Sequence, residues 1–160
     1  SACYLEHMMT DLPTMTILFV EDQEATRTLY RNELQEHGFQ VLAAIDADEA
    51  LSLCRRHLGP IHLLLADIAL PNQLQFLNGA ASHASLNGLE LARLARMWRP
   101  HLRVMFISGL SQEEIREMGG LPDGVPFLQK PLKMDLLVSL ARDTAKGVWS
   151  NTSPSFSSSF

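Results

Sequence analysis

Cysteine is nearly missing from this chain of 160 residues: Cys3 and Cys54 stand far apart and form neither a disulfide framework nor a metal-ligand or redox spacing. Positive charge is also in short supply. Thirteen Lys and Arg against 18 Asp and Glu leave a formal net charge of −5, which argues against the basic footprint of a nucleic-acid-binding domain. No apolar run approaches the roughly 20 residues that a bilayer demands, and no charged-then-apolar leader precedes the first hydrophobic segment. The six histidines are scattered without ligand spacing, and no internal repeat is present. These absences set the expectation of a reduced, cytoplasmic protein whose partners are neither membrane nor nucleic acid.

What is present is an ordinary apolar content of 46%, enough for one domain with a sizeable core. The ends stand apart from it. "SACYLEHMM" reads as a vector-derived scar before a natural start, so residues 1–13 are set aside as an extension. The Ser-rich stretch 147–160 is expected to be disordered. Between them, residues 14–146 alternate short apolar runs with amphipathic segments.

The apolar runs are "MTILFVED" (15–22), "FQVLAAI" (39–45), "HLLLAD" (62–67), "RVMFIS" (103–108) and "VPFLQ" (125–129). Helical spacing follows each. Leu29, Tyr30 and Leu34 predict the inner stripe of a helix over 23–37 that Gly38 stops. Ala47, Ala50, Leu51, Cys54 and Leu58 predict a second helix, broken by Gly59-Pro60. Leu91, Leu94, Ala95 and Trp98 mark a third, with Trp98 expected in the core. "SQEEIREMG" is a short fourth helix capped by Ser111, and Leu136, Leu137, Leu140 and Ala141 mark the fifth. Five apolar strands alternating with five helices predict an α/β domain with a doubly wound, five-stranded parallel sheet covered on both faces.

Ligands of such sheets gather at the carboxyl ends of the strands. There the sequence concentrates its polar groups: Glu21-Asp22 after the first strand, Asp67 after the third, Ser108 after the fourth and Lys130 after the fifth. Three carboxylates brought together would repel one another and raise each other's pKa. A magnesium ion, which takes oxygen ligands from one or two carboxylates, waters and phosphate, relieves that repulsion. A carboxylate can also attack phosphorus to give an aspartyl phosphate. Lys130 and Ser108 then suit the phosphoryl oxygens as ammonium and hydroxyl donors. Taken singly, Asp22 could be a helix cap and Lys130 a solvated lysine; the convergence of four strand ends favours a site.

The acidic pair "ED", "D-x-x-x-P" (Asp67 to Pro71), "NGLEL" (87–91), "ISG" (107–109) and "KP" (130–131) together resemble the receiver domain of two-component response regulators. The resemblance implies the flavodoxin-like (βα)5 receiver fold. It implies that Asp67 is the phosphoacceptor for a histidine kinase or histidine phosphotransfer protein. Mg2+ would be held by Glu21, Asp22, Asp67 and the backbone carbonyl of Ala69. Ser108 and Phe127 would form the switch, Lys130 would face the phosphoryl group, and the Lys130-Pro131 peptide would be cis.

Such a protein is a signalling phosphoacceptor, not an enzyme acting on an external substrate, and its output is expected through contact with a downstream protein. Two other classes compete. A magnesium-dependent phosphohydrolase would place a second Asp two residues after the nucleophile, where Ala69 stands. A phosphorylation-independent interaction module would have no use for the full set of acids, hydroxyl and lysine. Phe127 stands where the family usually has tyrosine, so its inward position is expected to be populated before phosphorylation. Residues 72–86 form an insertion after the third strand that is expected to pack near Asp67, in part as a short helix.

Overall fold

The computed structural model of the chain describes residues 14–70 and 87–147. The expected extension before residue 14, the insertion at 72–86 and the tail beyond residue 147 lie outside the described residues.

Among the described residues five strands and five helices alternate. They are β1 (Thr16–Val20), α1 (Glu24–Glu36), β2 (Gln40–Ala44), α2 (Ala47–Arg56), β3 (Leu63–Asp67), α3 (Asn87–Trp98), β4 (Arg103–Ser108), α4 (Gln112–Glu117), β5 (Phe127–Gln129) and α5 (Met134–Ala145). All pairings are parallel, in the order β2-β1-β3-β4-β5. Strand order reverses between β1 and β3, and a doubly wound sheet opens its ligand crevice at such a point. The expected fold class is the observed one.

Both faces of the sheet are covered, which is why β1 and β3 are apolar at nearly every position. Leu63 and Leu65 pack with Tyr30 and Leu34 of α1 and with Leu137 and Ala141 of α5. Leu64 and Ala66 pack on the other face with α2, α3 and Ile115 of α4. Each fully buried Leu, Ile or Phe contributes roughly 1.5–3 kcal/mol to folding, before the entropy of ordering is subtracted. Asp46 caps α2 by accepting from the Glu49 amide at 2.8 Å. Ser111 and Glu114 form a reciprocal capping box on α4, as the sequence predicts for Ser111.

Three apolar residues lie elsewhere than their spacing suggests. Leu29 is 54% exposed, because the buried stripe of α1 runs through Tyr30 and Leu34, and Leu29 falls to one side of it. Leu58 is 95% exposed, since α2 ends at Arg56 and Gly59 turns the chain with φ 117°. Trp98 is 56% exposed at the last position of α3, where its ring carries the Arg55 guanidinium instead of entering the core. β5 is also shorter than the apolar run 125–129, because the Val125 amide bonds Pro122 within a turn and Pro126 has no amide to offer.

Candidate functional site

β1 and β3 run side by side from Ile17↔Leu63 to Val20↔Ala66, so Glu21 and Asp67 leave adjacent strands at the same level. Asp67 is level with Ile107 of β4, and Ser108 with Gln129 of β5. The Lys130 amide then donates to the Ser108 carbonyl at 2.8 Å, which holds the lysine against the end of β4. The Lys130-Pro131 peptide is cis.

This register converges on one ammonium. Lys130 Nζ donates to Asp67 Oδ2 at 2.7 Å and to Glu21 Oε2 at 2.9 Å, across sequence separations of 63 and 109 residues. Both carboxylates are buried. Asp67 Oδ1 accepts from the Ala69 amide at 2.9 Å, which fixes the carboxylate in plane. Desolvation raises the pKa of Glu21 above its ordinary value, and the Lys130 contacts offset part of that rise. Desolvation by itself would lower the lysine's pKa, but the hydrogen bonds and charges of Asp67 and Glu21 outweigh it and hold the pKa above its usual value.

Asp22 is exposed at the mouth of the same crevice, and it does not cap α1, whose N-cap is Gln23. Among the described residues, no three Asp, Glu, His or Cys side chains already stand together as a metal cage. Magnesium does not require one, since it binds through one or two carboxylates and completes its shell with water and phosphate oxygens. Glu21 Oε1 supplies the test of fit. It is buried and has no hydrogen-bond partner, leaving an anionic oxygen whose desolvation is uncompensated. A hard cation beside it, held by Asp22, Asp67 and the Ala69 carbonyl, would relieve that cost.

Ser108 is 1% exposed, and its Oγ accepts from the Leu110 amide at 3.2 Å. Its own hydrogen therefore remains available to another acceptor. Phe127 is half-buried and packs on the sheet face that carries α2, α3 and α4. The structure thus gathers Glu21, Asp67 and Lys130 in direct contact, with Asp22, Ser108 and the Ala69 backbone on neighbouring strand ends, and sets Phe127 on the α4 side.

Two contributors were not singled out by spacing. Arg27 Nη1 donates to the Glu21 carbonyl at 2.9 Å and the Asp22 carbonyl at 3.2 Å, locking the turn that carries the acidic pair. Its signal was its place on the same stripe of α1 as Tyr30 and Leu34. Gly88, at the start of α3, donates its amide to the Ile68 carbonyl at 3.0 Å. A Cβ there would stand 2.7 Å from the Asp67 carbonyl oxygen and 2.8 Å from Ile68 Cα, so only glycine lets α3 approach the end of β3 this closely.

The arrangement joins a fixed carboxylate to an ammonium, a hydroxyl and an acid-rich mouth, groups that phosphoryl transfer to a carboxylate oxygen can use. A family model described as the response regulator receiver domain matches residues 17–142. The chain is 34% identical over 137 residues to the transcriptional regulatory protein AruR of Pseudomonas aeruginosa, a match covering 82% of this chain and 50% of that one. It is 28% identical over 123 residues to the response regulator receiver protein CpdR of Brucella abortus, covering 77% of this chain and 90% of that one. Against the solved receiver domain of the hybrid histidine kinase CckA, identity is 31% and the TM-score 0.62, with 81% and 98% of the two chains covered. The chain spans only half of AruR and 13% of the Brucella abortus sensor kinase CckA, which it also matches.

Proposed function

The chain belongs to the response regulator receiver domain family, and on that premise we propose that it is a magnesium-dependent phosphoacceptor of a two-component relay. A histidine kinase or histidine phosphotransfer protein presents a phosphohistidine to the crevice. The Asp67 carboxylate attacks phosphorus, a P–O bond forms as the P–N bond breaks, and the imidazole of the donor leaves. The observation that carries this reading is the Lys130 ammonium bridging Asp67 and Glu21 at 2.7 and 2.9 Å. An ammonium placed there can follow the charge from the carboxylate oxygen to a phosphoryl oxygen without leaving the site.

Glu21, through its unpartnered Oε1, Asp22, Asp67 and the Ala69 carbonyl are the groups that would hold Mg2+; bound there, the ion would supply positive charge to the phosphoryl oxygens. Ser108 keeps its oxygen on the Leu110 amide and donates its free hydrogen to a phosphoryl oxygen. That donation draws the end of β4 towards Asp67, and Phe127 on the adjoining strand follows on the side of α4. The altered surface is read by a downstream protein. Among the described residues no helix is long and apolar enough to cross a membrane.

The test is labelling by a phosphorylated histidine donor in the presence of Mg2+, followed on this chain as a phosphoryl group cleaved by alkali and by hydroxylamine, as an acyl phosphate is. Asp67→Asn keeps the size of the side chain and removes the nucleophile, so labelling should disappear while the far-UV spectrum stays unchanged. An Asp67→Asn protein labelled at the wild-type rate would overturn the assignment.

A further inference from the structure

The amino ends of the strands carry a feature for which the phosphoacceptor chemistry has no use. Residues 50–66 and 91–112 contain no Asp or Glu, although the chain as a whole carries −5, and both stretches pass through this end of the domain, at the loops between α2 and β3 and between α3 and β4. Here α2 and α3 finish side by side. Ser52, Arg55, Arg56 and Trp98 line a hollow of about 500 Å3 between them. The Arg55 guanidinium lies 4.8 Å from the centre of the Trp98 ring, a cation–π contact that holds the charge at the surface. Among the described residues neither Arg55 nor Arg56 has a carboxylate partner.

Apolar residues in the lining and beside it in the chain are exposed. Trp98 is 56%, Met97 69% and Leu58 95% exposed. Leu58 belongs to the loop that Arg99 ties to the end of α3, through bonds to the His57 and Gly59 carbonyls at 2.7 Å each. Exposed aromatic and aliphatic side chains interleaved with unpaired arginines have the composition of a protein-binding surface.

We propose that this end of α2 and α3 docks an acidic segment of a partner protein, its carboxylates on Arg55 and Arg56 and an apolar side chain on Trp98. Charge complementarity selects that occupant. A carboxylate can form a bidentate pair with either guanidinium, and among the described residues no acid is paired with it. A nucleic acid fits less well, because Leu58 and Met97 offer nothing to a phosphate track and the net charge of the chain opposes a polyanion. The surface lies at the opposite end of the sheet from Asp67, so the proposal stands independently of the phosphoacceptor reading.

The test is fluorescence anisotropy of a dye-labelled amphipathic peptide, with Asp and Glu on one helical face and Leu and Phe on the other, titrated with the full chain. Saturable binding that weakens with added salt is expected. Arg55→Gln with Arg56→Gln should weaken it by about tenfold, and Trp98→Ala by at least about tenfold. Circular dichroism of each variant separates a lost surface from a lost fold, and the two sets of substitutions act through different groups. The proposal is overturned if the peptide shows no saturable binding, or if neither set weakens it. It also fails if a single-stranded oligonucleotide binds more tightly at this surface. Self-association in sedimentation that the same substitutions abolish would assign the surface to a second copy and likewise overturn it.

Discussion

At the carboxyl ends of the strands one lysine stands between two buried carboxylates, whereas at the amino ends, among the described residues, arginines meet backbone carbonyls and form no ion pair. The first arrangement is electrostatically stiff. Glu21 and Asp67 are desolvated, so their energy depends on the single ammonium that faces both. The second is neutral on its acceptor side. Arg99 donates to the carbonyls of Cys54, His57 and Gly59 at 2.9, 2.7 and 2.7 Å, closing the C-terminus of α2 with the side chain that follows α3. A carbonyl accepts without cancelling the cation, so that end keeps its positive charge and shows it to solvent. Burial of charge holds a reacting group in one geometry; exposed charge is free to recruit a partner.

The largest effect should come from removing the ammonium. Lys130→Met leaves two buried carboxylates facing each other, and breaking a buried pair in this way costs about 3–5 kcal/mol. Urea denaturation at neutral pH should read that loss, together with loss of phosphotransfer. Acid should reduce the deficit, because a protonated Glu21 no longer repels Asp67. The wild type has its own pH dependence. Folded Glu21 has a raised pKa, so between its ordinary and raised values the native state binds more protons than the unfolded chain. Stability from this group is therefore present at low pH and falls as pH rises through that window. The raised pKa of Lys130 gives a second term, complete below the ordinary lysine value and lost as pH rises through the folded one. A deficit in Lys130→Met that stayed constant from neutral pH down to the Glu21 window would show that the two carboxylates are not coupled through the lysine.

Gly88 tests whether the end of β3 is as unyielding as its surroundings suggest. In Gly88→Ala the new methyl meets backbone at 2.7 and 2.8 Å, which cannot move aside as a flexible side chain could. Overpacking of this kind costs about 1–3 kcal/mol. Because the displaced atoms are the carbonyl of Asp67 and the Cα of Ile68, the phosphotransfer rate should fall even at temperatures where the variant is fully folded. A variant with wild-type transfer and lowered stability would make Gly88 a packing residue alone.

Arg99 gives the matching experiment at the other end. Arg99→Ala removes three bonds from one charged donor and should cost about 2 kcal/mol, given the usual net worth of charged hydrogen bonds. The loss should appear in thermal unfolding, with phosphotransfer unchanged while the protein is folded. A slower transfer rate in this variant would mean that the two ends of the sheet are mechanically linked.

The same contrast explains what could be read without coordinates. Strands β1 and β3 were legible because burial on both faces forces continuous apolar runs, and Glu21, Asp67, Ser108 and Lys130 because a parallel sheet collects strand ends at one crevice. Spacing could not tell that Leu29 lies just off the buried stripe of α1, or that Trp98 closes α3 in solvent. A period of 3.6 fixes which residues share a face, but the tilt of a helix on the sheet decides where that face ends. The role of Arg99, and that of Arg27 beyond its place on the α1 stripe, is hidden for another reason. Both act on carbonyl groups, which every residue carries and no sequence pattern marks.

The smallest effect is expected at Trp98, and its size decides how the amino end should be understood. A Trp or Phe removed from the core costs about 3–5 kcal/mol, since its volume becomes a cavity. Phe106, 1% exposed, should behave in that way. Trp98 is already more than half in water, and its replacement leaves no enclosed space. What remains to lose is partial burial and the Arg55 contact, the latter worth about 0.5–1 kcal/mol at an exposed site. Trp98→Ala should therefore lower stability by no more than about 1 kcal/mol in urea denaturation. A loss of core size would mean that the ring is a structural bolt between α2 and α3, with its exposure incidental. A loss within the expected bound would leave the ring with too little effect on the fold to account for an aromatic placed among unpaired arginines, and so favour its use as a contact for a partner.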